Sequence, residues 1–308
     1  MKKEVNNMPK NFAILEVGST NTKCYIYKNN KLNNYGQKHI AFKDNYVTNK
    51  TLLESDIQTL YDYITEIKKE TDTIYAFGTS IFRKLTQEEL TLFTNNIETN
   101  LNINFKVVTA DEESLYTVKG VINNIDYNKK MAVVIGGGGS TELAIIDNKK
   151  IIKEINLDFG AMDITASFPD LKEDITTTKF NTILNHTLNL IPEIDDNVEA
   201  LVLAGGDYIY FYENANYEME ENFLYQDNNQ TYLLTIEKAN EYDKDILNKS
   251  LYEIKSRCAG NENWWDGARG MRFCMNAVAK KLNAKYIIPT RINMIIGLTN
   301  EILENADK

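Results

Sequence analysis

The stretch MAVVIGGGGSTELAII, residues 131–146, decides how the fold is read. Met131 to Ile135 is an apolar run of strand length, and Leu143 to Ile146 is another. Between them stand four glycines, Gly136 to Gly139, then the hydroxyls of Ser140 and Thr141. Glycine weakens strands, so a run of it marks backbone that approaches something closely or takes positive φ. Two readings fit: a cradle whose N–H groups and hydroxyls hold phosphate oxygens, or a tight hairpin joining the flanking strands. The motif is not a P-loop, since no Lys follows, nor a dinucleotide fingerprint, since no helix follows.

Upstream the same plan occurs once before. Phe12 to Val17 reads as a buried strand, Gly18-Ser19-Thr20-Asn21 as a loop, and Cys24 to Tyr27 as the next strand. Superimposing Gly18-Ser19-Thr20 on Gly139-Ser140-Thr141 aligns two strand–loop–strand units, which suggests two halves built on one plan. Ser55 to Glu70 has the period of an amphipathic helix, with Ser55 and Gln58 spaced as a capping box. Thr73 to Phe77 reads as a strand ending at Gly78-Thr79-Ser80, and Thr86 with Glu89 caps a further helix. Phe105 to Val108 is a strand leading into Asp111-Glu112-Glu113. Further on, Ala200 to Leu203 is a strand ending in Gly205-Gly206, and the chain from about Ile236 reads mainly helical. Strands alternating with helices imply a mostly parallel sheet covered on both faces, with ligands at the carboxyl ends of the strands.

A length of 308 residues allows two domains with sizeable cores. The four prolines form no linker, so any boundary is a short hinge. The net charge of −10 comes with no basic run, which argues against a nucleic-acid or membrane-surface binder. Three scattered cysteines and two distant histidines make neither a disulfide framework nor a zinc site. The polar start MKKEVNNMPKN has no signal-peptide core, so the cytoplasm is the expected compartment.

Arg83 is one of only five arginines in a Lys-rich chain, and the other four lie between residues 257 and 291. Just after a strand-end Gly-Thr-Ser loop, it suggests a need for a planar bidentate fork; the bland alternative is a surface salt bridge. Glu113 carries the same ambiguity, because carboxylates in a first helical turn stabilise the helix dipole without any function. Trp264, Trp265, Arg269, Arg272 and Arg291 could line a polyanion path, but read more simply as core aromatics and helix-face charges.

AILEVGSTNTK, FGTSIFRKL, VVTADEESLYTVKGV and VIGGGGSTELAII resemble, in order along the chain, motifs of the exopolyphosphatase and guanosine pentaphosphate phosphatase family. LDFGAMDITASF and LAGGDYIYF match later blocks more loosely. The resemblance implies an α/β fold of two ribonuclease-H-like, actin-like ATPase lobes, 1–125 and 126–308, with a cleft between them and the last helix packing back on the first lobe. It implies phosphate binding by Ser19, Thr20 and Asn21, by Gly137, Gly138, Gly139, Ser140 and Thr141, and by Gly205 and Gly206. Arg83 would clamp phosphate, Glu113 would be the general base, and Glu16 and Glu142 would hold Mg2+ or Mn2+. The implied substrate is polyphosphate or a phosphorylated guanosine nucleotide, and a homodimer is compatible with the family.

The pattern departs from the family in three places. Glu16 stands for an Asp, Ile135 for a metal-site Asp, and Leu115 for an Arg. A hydrocarbon cannot ligate Mg2+, so Ile135 keeps a second reading open: a phosphate or nucleotide sensor with little or no catalysis. A small-molecule kinase or ATPase of the same superfamily is a third.

Overall fold

The computed structural model describes residues 11–126, 129–221, 232–256 and 265–306. The chain divides into two compact units, one comprising Met1–Tyr116 with Met294–Lys308 and the other Thr117–Asn293.

In the first unit, β1 (Phe12–Val17), β2 (Asn21–Lys28) and β3 (Lys31–His39) form an antiparallel meander, followed by helices α1 (Phe42–Asn49) and α2 (Glu54–Ile67). Next come β4 (Ile74–Gly78), a 3-10 turn (Ser80–Lys84), α3 (Gln87–Leu101), β5 (Phe105–Val107) and α4 (Ala110–Asn124), within which the unit boundary falls. The sheet order is β3-β2-β1-β4-β5, with β4 and β5 parallel to β1.

The alternation along β1 makes two cores, because successive side chains point to opposite faces. Ala13, Leu15 and Val17 pack with Leu60 and Ile64 of α2 and Phe93 and Ile97 of α3. Phe12 and Ile14 pack instead with Ile295 and Leu298 of the last helix. Ser55 and Gln58 do not cap α2. That helix starts one residue earlier, behind Leu53, and has no side-chain cap; Gln58 donates to Asp62 instead. The Thr86–Glu89 capping box at α3 is formed as its spacing predicts.

The second unit repeats the plan. It holds β6 (Met131–Gly136), β7 (Thr141–Asp147), β8 (Lys150–Leu157), α5 (Ala161–Ser167), a 3-10 turn (Pro169–Lys172), α6 (Phe180–Leu190), β9 (Ala200–Leu203) and α7 (Asp207–Asn214). It continues through β10 (Glu220–Glu221), β11 (Tyr232–Thr235), α8 (Ile236–Asn248), α9 (Leu251–Lys255), α10 (Trp265–Lys281) and β12 (Tyr286–Pro289). Helix α11 (Met294–Ala306) returns to the first unit. Read from β8, the sheet order β8-β7-β6-β9-β12 matches β3-β2-β1-β4-β5 strand for strand, with β11 and β10 added beyond β12. The fold is α/β with two ribonuclease-H-like sheets.

Strand registers correct the superposition suggested by the Gly-Ser-Thr echo. Glu16 pairs with Lys23 and Ile135 with Glu142, so each hairpin spans the same number of residues. The amide of Gly18 donates to the Asn21 carbonyl as the amide of Gly137 donates to that of Ser140. Gly18 is therefore equivalent to Gly137, not Gly139, and Ser19 and Thr20 correspond to Gly138 and Gly139.

In the second unit, Arg269 and Arg272 are buried rather than lining a path. The Arg272 guanidinium pairs with Asp243, donates to the Tyr212 hydroxyl, and lies against the rings of Tyr208, Phe211 and Tyr212. Burial is the largest influence and works against that cation, but the Asp243 carboxylate together with the Tyr212 and Tyr208 hydroxyls outweighs it and holds the group charged. Arg291 is an exposed partner of Glu213. Trp264 lies outside the described residues.

Candidate active site

Each unit contributes a hairpin loop at the carboxyl end of its first strand, and the two loops are built alike. In the first, the Thr20 carbonyl accepts from the Ile40 amide and the Ser19 carbonyl from the Lys43 amide, at 3.0 and 2.9 Å. In the second, the Gly137 and Gly138 carbonyls accept from the Ala161 and Met162 amides, at 3.1 and 2.7 Å. The segment opening the next helix thus ties back the carbonyls. The amides of Ser19, Thr20, Gly138 and Gly139 donate to no acceptor among the described residues. Such a backbone presents partial positive charge and little negative, which is the property of an anion cradle.

None of the four glycines of the second loop lies in the left-handed region, so positive φ does not account for them. A Cβ on Gly136 would stand 2.5 Å from Met271 Sδ, the far end of a flexible side chain that would have to shift. Gly139 has open space around it. Gly160, which precedes α5, is fixed by the loop itself, because a Cβ there would lie 2.4 Å from the Gly137 carbonyl oxygen. Thr141 is buried and donates to the Phe159 carbonyl, while Ser140 Oγ donates to Glu142 Oε1 at 2.7 Å. Gly205 and Gly206 do require positive φ, 98° and 96°, where β9 turns into α7. The Gly205 amide is spent on the Ile292 carbonyl, and Asp207 brings a negative charge to the start of the helix.

Around the first loop the structure gathers Ser19, Ser80, Arg83, Glu113 and Glu16. Ser19 Oγ donates to Ser80 Oγ at 2.7 Å, and Ser80 holds φ 49° without being glycine. One guanidinium nitrogen of Arg83, Nη1, donates both to the Val108 carbonyl at 3.1 Å and to Glu113 Oε2 at 2.9 Å. Nη2 and Nε of Arg83 donate to nothing among the described residues. The arginine is anchored by one nitrogen, which leaves the rest of its fork unspent.

The acidic triplet divides its work. Glu112 closes a capping box with Thr109 and pairs with Lys106; that lysine bond, then the Thr109 amide, holds its carboxyl below the usual range. Glu113 is the member that meets Arg83. Burial pushes the Glu16 carboxyl up, with Lys23 at 3.9 Å opposing and the charge of Glu113 adding to the rise.

A family model described as the Ppx/GppA phosphatase family matches residues 21–253. The chain belongs to the Ppx/GppA phosphatase family. Its fold is that of the Aquifex aeolicus Ppx/GppA phosphatase type II variant, at a TM-score of 0.78 and 17% identity over 96% of this chain and 100% of that one. An exopolyphosphatase from Cytophaga hutchinsonii superposes at 0.71 with 16% identity, covering 96% of this chain and 98% of the other. A bifunctional 3-dehydroquinate synthase/phosphatase of Fusobacterium nucleatum is 28% identical over 174 residues, 51% of this chain. That match spans 26% of the curated relative's length.

Against the family's motifs, the register shows what the departures do. Cross-strand partners share a sheet face, so Ile135 lies beside Glu142 as Glu16 lies beside Lys23. Each loop therefore has one carboxylate, on the first strand in one unit and on the second strand in the other. No group of three or more His, Cys, Asp or Glu gathers among the described residues. Mg2+ typically takes one or two carboxylates and completes its shell from water and substrate phosphates. The donor set fits a cation carried in on phosphate oxygens, not one caged by the protein. Cys24 and Cys274 are buried, each thiol pushed up to about 12 by burial, and neither is a nucleophile. No described helix is long and apolar enough to cross a membrane.

Proposed function

We propose that the protein hydrolyses phosphoanhydride bonds, releasing orthophosphate from inorganic polyphosphate or guanosine pentaphosphate. The observation that supports this best is the state of the two hairpin loops, with carbonyls tied back and amides open. Each loop offers N–H donors to phosphate oxygens, and the unspent nitrogens of Arg83 offer a charged fork. A phosphoryl oxygen arriving at Arg83 competes with Glu113 for the guanidinium.

A water oxygen then bonds to the terminal phosphorus, and its proton passes to the Glu113 carboxylate. The bridging P–O bond breaks with its electron pair remaining on the shortened chain. A divalent cation, Mg2+ or Mn2+, would come with the phosphates; each loop has its own carboxylate to offer it, Glu16 in the first unit or Glu142 in the second, and it would neutralise charge on the phosphate oxygens.

The test is phosphate release from polyphosphate, guanosine pentaphosphate and ATP, with and without Mg2+ or Mn2+. Release is expected from the first two and not from ATP. Glu113→Gln should lower turnover about 10²–10⁴-fold and leave ligand affinity within a few-fold. Tight binding without release would favour a phosphate sensor, the reading that Ile135 supports. Neither binding nor release sinks both.

A further inference from the structure

A cavity of about 450 Å³ opens in the second unit among α6, α8 and α10. Ala284, two residues before β12 begins, lines it, whereas the glycine loop lies where β6 ends. Strands β6, β9 and β12 run parallel, so cavity and loop stand at opposite ends of that sheet. Nothing in the proposed hydrolysis uses this end of the molecule.

The lining has a definite chemistry. No Asp or Glu contributes to it, in a chain with 44 acidic residues against 34 basic ones. Lys244 and Lys280 both line the cavity, and neither has a carboxylate partner among the described residues. The Lys244 ammonium stands 5.6 Å from the centre of the Phe180 ring, which forms part of the wall. Asn181 and Asn240 make no side-chain hydrogen bond among the described residues.

Asn276 is the fixed point. It is only 6% exposed, and its Nδ2 donates to Asp243 and to the Arg272 carbonyl. The buried Asp243–Arg272 pair behind it therefore sets the amide's orientation. Its Oδ1 accepts no hydrogen bond among the described residues.

We propose that this cavity is a second ligand site, for a small anion with a flat hydrogen-bonding body, of the mononucleotide class. Its volume lies within the range of small-molecule sites, roughly 300–1,000 Å³. The two ammonium groups suit a phosphate, the Phe180 face suits a base, and asparagine amides match the paired donors and acceptors of a base edge. Orthophosphate alone would fill only a fraction of the space and leave the amides and the ring uncovered.

Calorimetric titration of the full chain with AMP, GMP, orthophosphate and benzoate tests this. One of the two nucleotides should bind at one per chain with sub-millimolar affinity, and more tightly than orthophosphate. The pair Lys244→Glu and Lys280→Glu, on exposed side chains, should weaken it at least tenfold without changing phosphate release. Asn240→Leu should weaken it several-fold. Arg83→Lys, which acts on the hydrolytic reading, should leave it intact, so the two proposals can fail separately. Nucleotide binding lost only with Arg83→Lys would put the ligand at the hairpin loops and overturn the assignment. Benzoate as tight as the nucleotides would overturn the ligand class, and no binding of either nucleotide at millimolar concentration would overturn the site.

Discussion

Two side chains of the first unit invite single substitutions whose outcomes differ in kind. Arg83 spends one nitrogen on Val108 and Glu113 and keeps the others. A lysine keeps the charge but cannot hold that anchor and reach an anion at once. Arg83→Lys should weaken orthophosphate binding roughly ten- to a hundredfold, the worth of one charge-assisted hydrogen bond, read by titration. Glu16 bears on stability. Its carboxyl is raised by burial, so the folded state binds that proton more tightly than the unfolded chain does. The resulting stability is fully present below the unfolded pKa of about 4.3 and is lost as pH rises through the folded value. Glu16→Gln, which mimics the protonated form, should melt higher than wild type at pH 8 in the absence of divalent cations. The difference should vanish near pH 4. A glutamine variant that melts lower at pH 8 would mean that Lys23 outweighs burial.

At the scale of strands and helices, the register of β6 on β7 makes the sharpest prediction. Ile135→Asp would set a carboxylate directly across from Glu142, a like-charge pair costing about 0.2–1 kcal/mol. The variant should melt below wild type in chelator and gain more from millimolar Mg2+ than wild type does. Equal responses would mean that the position does not reach a cation. How much of this was legible in the sequence follows from the physics of each element. Strands β1 and β9 read to the residue because both are near-continuous apolar runs. Strands β3 and β8 are hard to read from the sequence because they are mostly exposed and carry no long apolar run. The two loops were visible as glycines and hydroxyls, but their equivalence was misread. Residue identity places the Gly-Ser-Thr triplets two positions apart, whereas hairpin length fixes the pairing. Tying back the loop carbonyls takes amides from residues 40, 43, 161 and 162, and no local pattern announces such a bond. Glu113 could be told from Glu112 by the Thr109-x-x-Glu112 spacing, which assigns the latter to the cap.

For the molecule as a whole, the decisive feature is that α11 belongs to the unit in which the chain begins. Met294, Ile295 and Leu298 are buried against Phe12, Ile14, Phe77 and Val108. Three such side chains are worth about 1.5–3 kcal/mol each, against a total domain stability of about 5–15 kcal/mol. Deleting residues 294–308 should therefore leave the first unit unfolded or aggregated, seen as dye binding to exposed apolar surface and loss of its melting transition. A soluble truncated chain with both transitions intact would show that the helix is dispensable. The arrangement also sets an order of birth. A ribosome delivers Phe12 and Ile14 first, then makes the whole of residues 117–293 before α11 emerges. At about 5–20 residues per second that interval is roughly 10–35 s. For that time one side of the nascent sheet lacks the cover that α11 gives it, and whatever takes that helix's place in the cell must be borrowed from a chaperone or from the ribosome surface.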